Sequence, residues 1–277
     1  MLTMSNPRKV AAELEPNLDI PWSNRALMWP IFNVAAPLLF HPDLHFESGR
    51  EGKEMWRDHV ESDDPTLGLM SHAREADAVL MARIVFERAL RGMRYETIVT
   101  AKEQLRQIPI VGFIVRKGGT SPVDRVFENP FETPEEKKRR MDKNLNNKHV
   151  GITVLRAGGN ILGFPEGGTT ARKRLPDGSF ERVPRQKDEI LPHQAGFANM
   201  VIDSPPDVRE RLRLMTIVSR YGEGLLSMFH PTTVVMDPVR PVDGGVPELK
   251  AQSEALMHRA NELAIEIDTL KALGQSR

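Results

Sequence analysis

The stretch from Thr133 to Thr169 restricts the fold more than any other part of the chain. Thr133-Pro134-Glu135-Glu136 combines a threonine cap, a proline at the first helical position and a glutamate three residues after the cap, so a long helix is predicted to start there. It runs to about Ala157, where Gly158-Gly159 stops it. NILGF then reads as a strand that delivers the loop PEGGTT at its carboxyl end. A helix, a short apolar strand and a glycine-rich loop in that order belong to α/β folds, in which sites gather at strand ends.

The rest of the chain continues this alternation. Short strands are predicted around Leu44 to Glu47 and Thr66 to Ser71, separated by the polar run Gly49 to Asp64. DAVLMARIVFERAL, Asp77 to Leu90, reads as a buried helix opening on an aspartate cap. Tyr95 to Thr100 is a β-rich run, and KEQLRQIPIVGFIVRKGG looks like a broken helix leading into the short segment TSPVDR. After a polar excursion from Lys173 to Glu189, strands are expected at Thr232 to Met236 and around Val239. A last helix follows Pro247, its apolar stripe from Leu249 to Leu270 reading as core packing. The expected architecture is α/β: one domain with a mixed, largely parallel central sheet flanked by helices, preceded by an N-terminal helical segment. We set the boundary at residue 42, giving a helical, membrane-contacting segment 1–42 and a main domain 43–277.

Composition narrows the function classes. The 277 residues are 40% hydrophobic and 27% charged, an ordinary globular balance, with Lys plus Arg equal to Asp plus Glu at 38 each. No overall field recruits nucleic acid, and the run Lys137-Lys138-Arg139-Arg140 reads as a solvated helix turn balanced by Glu135 and Glu136. There is no cysteine, hence no disulfide, thiolate metal site or cysteine nucleophile. No secretory signal is evident either, and the expected location is the cytoplasm, with a peripheral station on the inner face of the cell membrane. ALMWPIFNVAAPLLF, Ala26 to Phe40, is too short and too broken by Pro30, Asn33 and Pro37 to span a bilayer. With Trp22, Arg25 and Trp29 it suits either an interfacial helix lying on a membrane or a helix packed on the domain's own core. His-Glu-x-x-His metal spacing and a Gly-x-Ser-x-Gly elbow are both absent.

The chemistry centres on Ser71-His72-Ala73-Arg74-Glu75-Ala76-Asp77, where a strand gives way to an apolar helix. Residues five apart do not share a helix face, so His72 and Asp77 meet only if the histidine sits on the loop and the aspartate on the helix start. The carboxylate can then hold the Nδ1 proton and leave Nε2 as a base for an external hydroxyl. His59 and Asp64 repeat the spacing in RDHVESDD, and that pair reads as a solvated turn. The first pair gains weight from two later segments: Gly119 to Arg125, whose arginine suits bidentate phosphate contact, and Phe164-Pro165-Glu166-Gly167-Gly168-Thr169, whose glycines let backbone amides approach a ligand.

In these segments the sequence resembles the glycerophospholipid acyltransferases, over roughly residues 44 to 242. SHAREAD is similar to the family's Asn-His-x-x-x-x-Asp block with Ser71 in place of asparagine, AKEQLRQIPIVGFIVRKGGTSPVDR to its second block, FPEGGTT to Phe-Pro-Glu-Gly-Thr-Arg, and ILPHQAGFANMV with the proline of VVMDPV to its fourth. The resemblance implies that His72 is the general base and Asp77 its orienting partner. It further implies that Arg125 and Lys102 bind acceptor phosphate and that Pro165, Glu166, Gly167 and Gly168 form the loop holding the glycerol hydroxyls. The reaction implied is acyl transfer from acyl-coenzyme A or acyl carrier protein to a lyso-lipid or glycerol phosphate at a membrane surface, without metal or redox cofactor. Two departures stand out. Gly168 displaces the arginine of the third block, leaving Arg172 the nearby substitute, and Gln194 stands where the fourth block often has lysine. Both thin the phosphate site and point to a less anionic acceptor.

Overall fold

The computed structural model describes residues 6–72, 74, 77–85, 87–94, 96–102, 113, 116–123, 132–167, 170–174, 180–186, 188–222 and 229–274. After α1 (Pro7–Leu14), the apolar stretch forms α2 (Arg25–Pro30), a π-helical turn (Ile31–Ala35) and α3 (Ala36–Leu39). The wide turn has a local cause. Pro37 lacks an N–H and its ring would crowd the carbonyl of Asn33, so the helix loosens there, and the Asn33 side chain donates to the Trp29 carbonyl at 2.8 Å.

The chain continues with β1 (Asp43–Phe46), α4 (Gly49–Glu61), β2 (Thr66–Met70), α5 (Asp77–Ile84), a 3₁₀ segment (Arg88–Arg94), β3 (Thr97–Lys102), β4 (Thr120–Val123), α6 (Pro134–Arg156) and β5 (Asn160–Gly163). It continues with β6 (Thr170–Arg174), β7 (Phe180–Pro184), α7 (Gly196–Asp203), α8 (Pro206–Arg211), β8 (Arg213–Arg220), β9 (Thr232–Val235) and α9 (Val246–Ala272). Seven strands pair in the order β1-β9-β8-β2-β5-β3-β4, and β6 and β7 form a separate antiparallel hairpin. Among the described residues, the β8–β9 pair alone runs antiparallel in the large sheet. The sheet is thus mixed and largely parallel, as the sequence leads one to expect.

Alternation along the strands makes two cores. Leu67 and Leu69 of β2, Ile161 of β5 and Leu214 and Val218 of β8 pack with Val154 of α6, Phe197 of α7 and Met257, Ala260 and Ala264 of α9. Met70, Leu162, Met215 and Ile217 face the other way, onto Trp56 of α4, Leu80 and Ile84 of α5, Met28 of α2 and Phe40 just after α3. Where β2 and β5 pair, a Cβ on Gly68 would lie 2.0 Å from Leu162 Cδ2, so a larger residue there would displace the leucine side chain.

Five points of the sequence reading need correction. The polar run 49–64 is no connector but α4, whose charged face is solvated while Gly52, Trp56 and His59 are buried. His59 is therefore not in a solvated turn: it contacts Thr66 Oγ1 at 3.0 Å. The helix begun at Asp77 ends at Ile84 and passes into the 3₁₀ segment. The polar excursion contains the β6–β7 hairpin, and RLMTIVSR, not recognised as a strand, is β8 at the centre of the sheet. The broken helix expected over 102–119 falls mostly outside the described residues.

Two buried histidines give the fold a pH dependence. Burial pushes the His59 imidazole down to about 4 and does the same to His193, again to about 4, whose Nδ1 meets Ser253 Oγ at 2.6 Å. The unfolded chain protonates them near the ordinary value of 6.5, while the folded chain does not until about 4. Their stabilising contribution is thus present above pH 6.5 and is lost on acidification through this window, by up to about 3 kcal/mol per histidine. Urea unfolding at pH 7.5, 5.5 and 4.5 should show this decline, and His59→Gln should flatten it.

Candidate active site

Three adjacent parallel strands, β8, β2 and β5, end at one edge of the sheet and hand over to the segments that hold the polar residues. Ser71 closes β2: its amide donates to the Ile217 carbonyl at 2.9 Å and its hydroxyl accepts from the Ser219 amide at 3.3 Å. The next residue, His72, is 7% exposed and lies with its ring stacked on Phe164, the residue after β5, at a centroid distance of 4.2 Å. Asp77 opens α5 and has no solvent exposure.

The chain folds back between them. His72 Nδ1 lies 3.5 Å from Asp77 Oδ2, longer than a hydrogen bond, and among the described residues Nδ1 has no hydrogen-bond partner. The buried carboxylate is held by others. The Arg74 amide donates to Oδ2 at 2.7 Å, the Asp77 amide donates back to the Arg74 carbonyl at 3.1 Å, and the Tyr221 hydroxyl donates to Oδ1. Tyr221 follows the last residue of β8, and its ring carries the Arg74 guanidinium 4.7 Å from its centroid. Burial first, then the charge of Asp77, holds the phenol above its ordinary range, so it stays a donor.

The loop after β5 turns tightly at Gly167, which has a φ of +72° and donates to the Phe164 carbonyl at 3.0 Å. Pro165 is buried, and its carbonyl accepts from the Gln194 amide at 2.8 Å. Glu166 is buried as well, and both of its oxygens are engaged by Arg185, with Nη2 donating to Oε1 at 3.2 Å. Arg185 stands just after β7 and also donates from Nε to the Glu189 carbonyl at 2.6 Å. Burial raises the Glu166 carboxyl to about 7, against the opposing charge of Arg185, and the nearby charge of Asp77 adds to the rise.

Of the residues singled out in the sequence, the structure brings His72, Asp77, Pro165, Glu166 and Gly167 to this edge. Lys102 ends β3 at the same edge and Arg172 lies in β6, but the side chains of both fall outside the described residues, as do Arg125 and Gly168 altogether. Sequence reasoning missed Tyr221 and Arg185. Tyr221 would have been found by reading RLMTIVSR as a strand, because its carboxyl end then falls beside His72; nothing local marks Arg185. A surface groove of about 560 Å³ beside α6, lined by Leu145, Lys148, His149, Ile152 and Asp203 among others, contains none of these residues.

The family model described as Acyltransferase matches residues 52–219, well over half of the chain, and spans both His72 and the Glu166 loop. This chain belongs to the acyltransferase family. No curated protein matches it significantly. The acyltransferase match runs from within α4 to within β8, and so covers the strands that end at the site, with Tyr221 lying just beyond its limit.

The Glu166–Arg185 pair adds a pH dependence opposite in sign to that of the two buried histidines. A carboxyl raised from 4.5 to about 7 favours the folded state fully below pH 4.5 and loses that contribution as pH rises through 7. Arg185→Met removes the opposing charge and extends this window upward. Its cost should be greater at pH 8 than at pH 5 by up to about 1.4 kcal/mol, since pH 8 lies about one unit above the wild-type value, as measured by denaturant unfolding at both values. Glu166→Gln in the same background should abolish the difference.

Proposed function

We propose that this acyltransferase moves a fatty acyl group from an acyl-thioester, carried by coenzyme A or by acyl carrier protein, to a hydroxyl of a glycerolipid precursor such as lysophosphatidic acid, in phospholipid synthesis. The observation that carries the reading is His72 at a strand end with a fully buried, donor-held carboxylate 3.5 Å from its Nδ1, inside an acyltransferase match.

In this mechanism Nε2 of His72 takes the proton of the acceptor hydroxyl as its oxygen attacks the thioester carbon. Asp77 holds the Nδ1–H tautomer and stabilises the imidazolium that forms. The tetrahedral oxyanion, met by a backbone amide near the base, collapses with loss of the thiolate, which receives the proton from His72. The His72–Asp77 contact needs to shorten by only about half an ångström to become a hydrogen bond, as contacts of this kind do when substrate binds. Lys102, Arg125 and Arg172 would meet the anionic part of the acceptor, and Gly167 and Gly168 would leave room for it. Glu166, already bound to Arg185, would act on the acceptor hydroxyls by exchanging that partner.

The N-terminal helices support contact with a membrane surface. Trp29, Val34, Leu38 and Leu39 are all exposed, Leu38 at 71%. The helix also ends at the site edge, where the Asp43 amide donates to the Pro231 carbonyl, just ahead of Thr232, which pairs with Arg220 at the end of β8. Among the described residues no helix is long and apolar enough to cross a membrane, so the contact is with one face of the bilayer.

Thiol release from acyl-coenzyme A tests the reaction, because a protein without cysteine does not react with the thiol reagent. Release should require lysophosphatidic acid and fall at least about 100-fold in His72→Ala. Release without acceptor would make the protein a thioesterase; none with any donor or acceptor would leave a lipid-binding protein. Trp29→Ser with Leu38→Ser should abolish sedimentation with phospholipid vesicles, and unchanged sedimentation would remove these helices from the membrane contact.

A further inference from the structure

We propose that Tyr221 is a positioning residue with two partners: its hydroxyl fixes the Asp77 carboxylate, and its ring holds Arg74 as the cation that receives a phosphate group of the substrate. The proposal rests on acyl transfer through His72.

The carboxylate is a two-ended group that can turn about its last side-chain bond. Tyr221 reaches Oδ1 from the end of β8, 144 residues away in sequence, while the Arg74 amide takes Oδ2 at 2.7 Å. With Oδ1 pinned, Oδ2 is the oxygen left facing His72 Nδ1. Without the phenol, a carboxylate with no solvent exposure would be short of a donor and would swing towards another. Tyr221 therefore decides which way Asp77 faces, and through it the orientation of the base.

Arg74 occupies the other side of the same tyrosine. Its side chain is exposed whereas Tyr221 is half-buried, so the guanidinium sits at the solvent side of the ring, on a residue only two positions from His72. A cation–π contact engages the charge and not the N–H fork, and the fork is the part of arginine that binds phosphate bidentately. The phosphate belongs either to the acceptor, as in a lysophospholipid, or to the donor, as in coenzyme A and phosphopantetheine. The ring thus couples anion capture to the alignment of the base through one side chain.

The test is steady-state thiol release by wild type, His72→Ala, Tyr221→Phe, Tyr221→Leu and Arg74→Gln, with circular dichroism to confirm folding. Tyr221→Phe keeps the ring and should lower kcat roughly 10-fold, move the acidic limb of the pH–kcat profile and leave KM unchanged. Arg74→Gln should leave kcat nearly unchanged and raise KM at least about 10-fold for the phosphate-bearing substrate. A rise for lysophosphatidic acid but not monoacylglycerol assigns the acceptor phosphate; a rise for acyl-coenzyme A but not acyl-pantetheine assigns the donor. Tyr221→Leu should show both defects. Wild-type kcat and pH profile in Tyr221→Phe, or unchanged KM for all four substrates in Arg74→Gln, overturns the proposal while His72→Ala remains inactive. A fully active His72→Ala overturns the base assignment and this proposal together.

Discussion

A carboxylate with no access to water has to find its hydrogen-bond donors within the protein, and around Asp77 that requirement organises the whole site. One donor is the Arg74 amide, three residues before the carboxylate. The other is Tyr221, which forces β8 to end beside β2. Histidine and tyrosine each follow a strand, β2 and β8, and the aspartate opens a helix. His72 is further limited by Phe164 stacked on its ring, so that β5 also contributes to its placement.

The second buried carboxylate has a different solution. Glu166 is held by a bidentate arginine, and the pair ties the turn at Gly167 to the foot of the β6–β7 hairpin. The two carboxylates are close enough for the charge of Asp77 to oppose ionisation of Glu166. Two buried acids thus share one sheet edge, one held by neutral donors and the other raised by burial to about 7 beside an arginine.

What the sequence revealed was what local chemistry encodes. The long helix was legible because Thr133 and Glu136 cap it reciprocally, at 2.9 and 3.2 Å. His72 and Asp77 were legible because both belong to one strand-to-helix junction. By contrast α4 was hidden: its buried side consists of Gly52, Trp56 and His59, a sparse apolar pattern in a charged segment. β8 was hidden because arginines bound its apolar run where turn residues usually would. Tyr221 and Arg185 reach the site through contacts spanning 144 and 19 residues, which no local pattern records.

The hydrogen bond from the Ser219 amide to the Ser71 hydroxyl joins positions 148 residues apart, and it lies at the foot of the site. A contact of that separation exists only when β2 and β8 are paired, since no local structure brings these two serines together. A partly folded molecule can therefore be rich in helix and still lack the junction that sets His72 beside Asp77.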